Sequence, residues 1–443
     1  MSDLLYIGAS GVRTYQAAIG TTSENITNSG TAGYVRRSVD VKEVAATKGV
    51  RMSGNGSIAT GLSRATNEFR NTEVRSSGSD LARTESGIAW LDRIEQVLTG
   101  NQLSGQLTSF FNAAQGVAAN PAAVAPRAVM LESASTLAAS FTGTGQALAT
   151  AANDLDLTGK DAARDLTDFA SQLDKVNQGL ARSDDGSAMQ MSLLDERDRL
   201  LEGMSALVDI DVSFDGQNRA TVRAGGSSGP VLVDTAGAGQ VTFNMSVTGA
   251  SQFAVHRNAA VQVIPVSGGA FAGITEGAQR IADARDAVND LATRFVDGVN
   301  AVQAGGRNLD GLPGEPMFSA GDPPTDIALT LDDPRGIAAA AVGEGTRGNG
   351  NLTVLASLRT DGNFEGGIDD MVTGNAAALA ARKNVAEAQG SIHDAAVAAR
   401  DGVSGVDLDE SAVELIRFQQ AYQASSRVIQ VARETFQNIF DIS

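Results

Sequence analysis

Residues 408–440 read LDESAVELIRFQQAYQASSRVIQVARETFQNIF, and large apolar side chains recur at every seventh position of this stretch. Residues three positions further on form a second row, so the two rows follow the a and d positions of a coiled coil. A helix with this pattern presents one narrow apolar seam and needs a partner that covers it. The rows contain Leu408, Leu415, Tyr422, Ile429 and Phe436, and Phe418, Ser425, Ala432 and Ile439.

The start of this helix is marked by its own sequence. Asp407 precedes the first apolar position and is a favourable N-cap residue, and Glu410 three residues later completes a pattern resembling a capping box. Ser404 and Gly405 just before it predict a break in the chain.

A partner for the C-terminal seam lies at the other end of the chain. Leu5, Val12, Ile19 and Ile26 also follow a seven-residue spacing, with Gly8, Tyr15 and Thr22 three positions after the first three. The remaining residues of this segment are mostly polar and small, so the helix is expected to be unstable alone. We predict that the two terminal helices pair with each other and with neighbouring copies. The alternative is that both are ordinary amphipathic helices of one folded domain.

Charge favours the first interpretation. Only Asp3, Arg13 and Glu24 are charged among the first 35 residues, and only Arg417 and Arg427 between positions 415 and 432. A helix that faces water usually carries more charges on its outer side. Protein interfaces, in contrast, are depleted in charge at their centres.

Between the termini the sequence predicts a mainly helical chain with an inserted, antiparallel β domain. Apolar residues keep helical spacing in most of the interior, but between positions 208 and 266 they alternate with polar ones and are separated by turn residues. The segment 307–350 is rich in Gly and Pro and predicts an extended connector or a small lobe. The predicted domains are a terminal-helix domain (1–60 and 403–443), an inner helical domain (61–207 and 276–402) and an outer β domain (208–275).

Composition excludes several classes of function. The 443 residues carry a formal net charge of -18, which argues against binding to nucleic acid or to anionic membranes. Cysteine is absent, so disulfides, thiolate metal sites and cysteine nucleophiles are excluded. The N-terminus lacks the basic and apolar regions of a cleavable signal peptide, and no apolar stretch is long enough for a membrane helix. We therefore expect a soluble protein that reaches any extracellular site without such a signal.

Candidate catalytic patterns have simpler explanations. Residues 225–229 fit G-x-S-x-G, but Ser227 is followed by Pro230 and a strand, and His256 and His393 are the two histidines of the sequence. This pattern is interpreted as a hairpin loop. Asp209, Asp211 and Ser213 resemble the start of a calcium loop that lacks its Gly and Glu. The charged run at 193–200 is interpreted as a salt-bridged helix face. We predict no catalytic residue, no metal site and no cofactor.

Two terminal motifs resemble a known family. The segment SENITNSGTAGY at 23–34 resembles the N-terminal signature of bacterial flagellar axial proteins, with departures at Glu24, Thr27 and Ala32. The segment SGVDLDE at 404–410, followed by QQAYQAS at 419–425, resembles the hook-associated protein 1 branch of that family. The residues that carry this resemblance are Asn25, Asn28, Gly33, Tyr34, Ser404, Gly405, Asp409, Glu410, Gln419 and Gln420.

The resemblance implies a structural role without enzymatic activity. Members are exported unfolded through the flagellar type III apparatus with the help of an export chaperone. They assemble outside the cell as a ring or short tube between the flagellar hook protein and the second hook–filament junction protein, with both termini near the axis. The alternatives are another axial component (hook, rod or second junction protein) and a secreted wall hydrolase with axial-type ends.

Overall fold

The computed structural model describes residues 2–31, 33–44 and 56–440, and most of these residues are helical. This agrees with the predicted fold class of a mainly helical chain with long terminal helices. The helices in the described ranges are α1 (Ser2–Thr27), α2 (Glu68–Gly100), α3 (Leu103–Ala119), α4 (Val124–Leu180), α5 (Ala188–Leu207), α6 (Gly269–Gly305), α7 (Gly350–Gly362), α8 (Phe364–Ser404) and α9 (Leu408–Phe440).

The two ends of the chain form one unit. Helix α1 packs along α9, and it also contacts an antiparallel hairpin of β1 (Arg37–Glu43) and β2 (Ser57–Arg64). Part of the predicted terminal-helix domain, residues 45–55, lies outside the described residues. The hairpin was not predicted from the sequence, because its strands are short and largely polar.

Helices α2 to α8 surround a continuous apolar core. Phe110, Phe111, Phe141, Phe295 and Phe364 meet in its centre with ring centroids 5.2–6.3 Å apart. Such offset and edge-to-face contacts add to the free energy gained by burying aromatic surface. The long helix α4 contributes buried residues along its whole length, which indicates that it is the central element of the inner region.

The inserted β region is antiparallel, as predicted. One sheet has the strand order β3-β4-β5-β6 and the other β7-β8-β9. Phe243 of β7 packs onto α4 where Gly159 leaves room, since a Cβ at Gly159 would lie 2.5 Å from the Phe243 ring. The strands are β3 (Ile210–Phe214), β4 (Ala220–Ala224), β5 (Val231–Asp234), β6 (Gly237–Ala238), β7 (Gln240–Met245), β8 (Ser251–Arg257) and β9 (Ala260–Val263). Helix α6 begins at Gly269, inside the range 208–275 predicted for this domain.

The Gly- and Pro-rich segment is a small lobe held by polar side chains that are half-buried or fully buried. Its strands are β10 (Gly306–Arg307), β11 (Phe318–Ala320), β12 (Ile327–Leu329) and β13 (Ala340–Ala341). Asn300 of α6 accepts from the backbone N–H groups of Met317 and Phe318 at 2.9 and 3.1 Å. Arg127 of α4 is fully buried and donates to the carbonyl oxygens of Pro121 (2.8 Å) and Ile337 (2.6 Å). Burial, and the proximity of Arg335, lower the pKa of Arg127.

Candidate assembly surface

The terminal helices are antiparallel and meet at small residues. A Cβ at Gly8 would lie 2.6 Å from Cγ1 of Ile429, and a Cβ at Gly11 would lie 2.6 Å from Oγ of Ser425. Further along, the rings of Tyr15 and Phe418 have centroids 6.5 Å apart. The two backbones approach closely because neither glycine carries a side chain.

The apolar row predicted on α1 lies beside this contact and not at its centre. Leu5, Val12, Ile19 and Ile26 are half-buried, whereas the small and polar side chains of the adjacent row are buried. The buried residues of α1 are Gly8, Gly11, Thr14, Ala18, Thr21, Thr22 and Asn25. The large apolar side chains therefore retain exposed surface on the flank of the helix pair.

The predicted row on α9 faces α1 over its middle part. Leu415, Phe418, Tyr422 and Ile429 are half-buried, and Ala432 is buried. Leu408 and Phe436 at the two ends are 53% and 49% exposed. The side chain of Ile439 lies outside the described residues.

Asn25 joins α1 to the hairpin. Its Nδ2 donates to the carbonyl oxygen of Arg37 at 2.8 Å, and its Oδ1 accepts from the backbone N–H of Arg37 (3.0 Å) and from the hydroxyl of Tyr34 (2.8 Å). Burial raises the pKa of Tyr34, although nearby Arg37 opposes this effect, so the phenol keeps the proton it donates. Asn25 is 2% exposed, and both polar atoms of its buried amide have hydrogen-bond partners.

Asn28 and Gly33 shape the turn between α1 and the hairpin. The Nδ2 of Asn28 donates to the carbonyl oxygen of Glu24 at 2.9 Å, and its Oδ1 accepts from the hydroxyl of Thr31 at 3.3 Å. Gly33 has a φ of 78°, in the left-handed region that favours glycine. These two residues of the N-terminal motif thus determine the path of the backbone.

The C-terminal motif meets the same turn. The carbonyl oxygen of Ser404 accepts from the backbone N–H of Arg36 at 2.9 Å. The backbone N–H of Gly405 donates to the backbone carbonyl oxygen of Asp401 at 2.7 Å, at the C-terminal end of α8. Asp407 caps α9 by accepting from the N–H groups of Asp409 (2.8 Å) and Glu410 (3.0 Å).

Glu410 does not complete the capping-box pair suggested by the sequence. Its carboxylate lies 3.5 Å from Nη1 of Arg36, because the incoming chain brings a cation to this side of the helix. Gln419 and Gln420 lie on the exposed side of α9. Residues 29–31, 33–36, 400–402, 404–407 and 410 border a common groove of about 1020 Å³, together with Arg75 and with residues 198, 199, 202 and 203 of α5.

A mostly buried ion-pair network connects the hairpin to α5. Asp195 lies 2.6 Å from Nη2 of Arg37 and 2.8 Å from Nη2 of Arg64, and Asp198 lies 2.9 Å from Arg64 and 2.6 Å from Arg197. Burial raises the pKa of Asp195, although Arg64 and Arg37 act in the opposite direction.

Sequence reasoning predicted a salt-bridged face in the run 193–200 but missed its partners on the hairpin. Glu196 and Arg199 form an i,i+3 ion pair along the helix, as expected for a salt-bridged face. The contacts of Asp195 and Asp198 with Arg64 instead join residues more than 130 positions apart, which no local pattern indicates.

The residues of the rejected catalytic patterns have ordinary structural contacts. Ser227 belongs to the loop between β4 and β5, where Gly225 and Gly226 have φ values of 83° and 81°. His256 contacts Thr242 at 2.9 Å, and His393 contacts Ser77 at 3.1 Å. Among the residues with a described structure, no group of three or more His, Asp or Glu side chains could hold a metal ion. Nor does this part of the chain contain a helix that is long and apolar enough to cross a membrane.

Comparison with known families defines the class of protein. Residues 402–442, which include α9, match the family model of the flagellar basal body rod FlgEFG protein C-terminal, so the C-terminal helix is of the flagellar axial type. Residues 91–318, more than half of the chain, match the family model of the flagellar hook-associated protein FlgK helical domain. The chain therefore belongs to the flagellar hook-associated protein FlgK family.

Individual relatives are distant in sequence. Flagellar hook-associated protein 1 of Salmonella typhimurium is 27% identical over 335 residues, which span 73% of this chain and 60% of the relative. The Bacillus subtilis protein of the same name is 23% identical, and the match covers 96% of this chain and 95% of the relative. The solved structure of the flagellar hook junction protein FlgK from Burkholderia pseudomallei has a TM-score of 0.51 at 21% identity, over 57% of this chain and 47% of that chain. This structural likeness supports the fold.

Proposed function

We propose that the chain is a non-enzymatic structural component of the bacterial flagellum, which forms the hook–filament junction by self-assembly through α1 and α9. The observation that carries the proposal is the incomplete burial of the terminal helix pair. Its large apolar residues, Leu5, Val12, Ile19 and Ile26 on α1, retain exposed surface beside the contact with α9. Family membership supports the flagellar part of the proposal.

Assembly supplies the burial that the single chain lacks. Ordering the backbone costs about 1–2 kcal/mol per residue, and a half-covered helix pair recovers only part of this free energy. A neighbouring copy on the exposed flank would bury the remaining apolar surface at about 25 cal/mol per Å². A head-to-tail arrangement of such contacts closes into a ring or continues as a tube, as a junction requires.

The further parts of the proposal concern partners and location. In the assembly the chain contacts copies of itself, the hook protein on one side and the second hook–filament junction protein on the other. Before assembly it is bound by an export chaperone and exported through the type III apparatus. In the proposed assembly the chain divides into 1–60 with 403–443, 61–207 with 276–402, and 208–275, with the terminal helices near the axis and the β domain on the outside.

Electron microscopy of a deletion strain tests this function. We expect bare hooks and detached filaments, with normal flagella restored by the wild-type gene. Complementation with Ile429→Asp should fail although the protein is produced, whereas Gln430→Asp, on the exposed side of α9, should restore flagella. Normal flagella in the deletion strain would contradict the junction function.

A further inference from the structure

We propose that a second copy of this chain covers the solvent-facing side of α8 between Gly374 and Val403 in the assembly. The proposal rests on the proposed self-assembly but adds a contact outside the terminal helices. It follows from the distribution of apolar, charged and packed residues around α8.

One side of α8 is occupied by α2. The Nδ2 of Asn375 donates to the carbonyl oxygen of Leu91 at 2.9 Å, and Nδ1 of His393 lies 3.1 Å from Oγ of Ser77. These contacts show that α8 runs antiparallel to α2, and they fix which side of α8 faces the inner core.

A stripe of uncharged residues lies on a different side of α8 from the contact with α2. Its members are separated by three, four, seven or eleven residues, and each of these steps returns to nearly the same side of a helix. Val385, Ile392 and Val403 are 48%, 61% and 42% exposed, and a Cβ at Gly374 would meet no atom within 4 Å. The stripe consists of Gly374, Ala381, Val385, Ala388, Ile392 and Val403.

The charged residues of α8 avoid this stripe. Lys383, Glu387 and Asp394 lie about half a turn away from it, on the polar side of the helix. Arg382 and Arg400 lie beside the contact with α2 and form ion pairs with Glu276 and Glu202. An exposed helix face that is apolar and uncharged over this length is typical of a protein–protein contact.

The size of the stripe indicates its occupant. At about 1.5 Å per residue and about 10 Å of width, the stripe covers about 440 Å², which is less than the roughly 800 Å² per partner of a stable complex. It therefore does not suit a separate partner that binds here alone. It suits a neighbour that is already held by α9, whose start at Leu408 follows the end of α8 at Ser404.

A strip of exposed residues along α9, about a quarter of a turn around the helix from Gln430, supplies the remaining area. Val413 and Val431 on this side are 67% and 58% exposed, and the stretch between them adds about 270 Å² by the same arithmetic. The two areas together, about 700 Å², approach the roughly 800 Å² that each partner buries in a standard interface. A lateral neighbour in a ring of identical subunits would contact both helices at once.

Photo-crosslinking tests the proposal in assembled flagella. A photoreactive phenylalanine analogue replaces Ile392 in one variant and Ala380, an exposed residue on the polar side of α8, in the control. We expect the probe at 392 to yield adducts between two copies of this chain, identified by mass spectrometry, and the probe at 380 to yield none. Adducts with a different protein, equal adducts from both positions, or no adduct at 392 would overturn the proposal.

A second pair of variants separates this contact from the terminal helices. Ile392→Asp and Ala380→Asp should both fold with the wild-type melting temperature, because both positions are exposed in the single chain. Incorporation into flagella should fall about tenfold or more for Ile392→Asp only, since a buried carboxylate opposes the contact. Normal incorporation of Ile392→Asp would refute the α8 contact and leave the proposed function intact. Absence of the wild-type protein from the junction would refute both.

Discussion

Gly8 of α1 faces Ile429 of α9 at a distance that leaves no room for a Cβ atom, which would lie 2.6 Å from Cγ1 of Ile429. Ile429 was identified from its place in a seven-residue repeat, but its partner within the chain proves to be a glycine. The terminal helices are therefore already paired in the single chain, and changes at this contact affect the monomer as well as the assembly.

Gly8→Val should separate the helix pair. The added side chain forces the backbones apart, and we expect faster amide hydrogen exchange along both α1 and α9. Gly20→Ala is the matched control, because a Cβ at Gly20 meets no atom within 4 Å. Replacing this helical glycine should stabilise α1 by about 0.5–1 kcal/mol. Unchanged exchange in Gly8→Val would contradict the close approach of the two helices.

Asn25→Leu should detach the hairpin from α1. The substitution removes three hydrogen bonds and leaves the buried N–H and carbonyl groups of Arg37 without their partner. Each unsatisfied group costs about 1–3 kcal/mol. The measurement is hydrogen exchange at the Arg37 amide, which should accelerate strongly. Asn28→Leu removes exposed hydrogen bonds to Glu24 and Thr31 and should leave the Arg37 amide protected. Equal acceleration in both variants would speak against a specific role of Asn25.

Asp195→Ala should destabilise the joint between the hairpin and α5. It leaves the buried Arg37 without its carboxylate, whereas Arg64 keeps its pair with Asp198, and breaking a buried pair in this way costs about 3–5 kcal/mol. Chemical denaturation followed by circular dichroism measures the loss. Glu196→Ala removes only the partly exposed pair with Arg199 and should cost less than about 1 kcal/mol. Similar losses for the two variants would show that the network is not a structural link.

Glu276 should make stability depend on pH. Burial acts to raise the pKa of Glu276, but hydrogen bonds from Arg382 and Arg83 outweigh burial and lower the pKa below its usual value. The stabilisation is therefore complete above the unfolded pKa of about 4.3 and is lost as the pH falls through the lower folded pKa.

Glu276→Gln measures this effect. The free energy of unfolding of the variant at pH 7 should be lower than that of the wild type by about 1 kcal/mol, because water screens this partly exposed ion pair. The difference should vanish in strong acid. Glu85→Gln, an exposed change on α2, serves as the control and should show no such convergence. A constant difference between Glu276→Gln and the wild type from pH 7 to acid would contradict the prediction.

Ile429→Asp should affect both the folding of the terminal pair and assembly. The carboxylate would face Gly8 in a half-buried contact, so we expect loss of hydrogen-exchange protection in α1 and loss of incorporation into flagella. The melting temperature of the inner helical region should remain unchanged, because Ile429 packs against Gly8 in the pair of α1 and α9. Gln430→Asp should leave all three properties intact. Normal incorporation of Ile429→Asp would exclude α9 as an assembly element.

Local sequence determined the elements with strong periodicity. The seven-residue repeat predicted α9, Asp407 marked its first turn, and the alternation between 208 and 266 predicted antiparallel strands. These features depend on neighbours within a few positions, where spacing alone fixes which side chains share a face. The terminal motifs also identified the family, because their residues stand at fixed distances along the chain. The assembly role of the seam and the domain boundaries remain predictions.

Tertiary structure decided which residues meet. The sequence placed Leu5, Val12, Ile19 and Ile26 together with Gly8, Tyr15 and Thr22 in one seam of α1. Only the fold shows that Gly8 lies at the centre of the contact, since close approach of two backbones depends on the space that both helices leave. Arg127 and Ile337, or Arg64 and Asp195, are brought together by the fold across more than a hundred residues. Such pairs carry no local signal, because burial of a charge or an amide is favourable only when a distant partner is placed beside it.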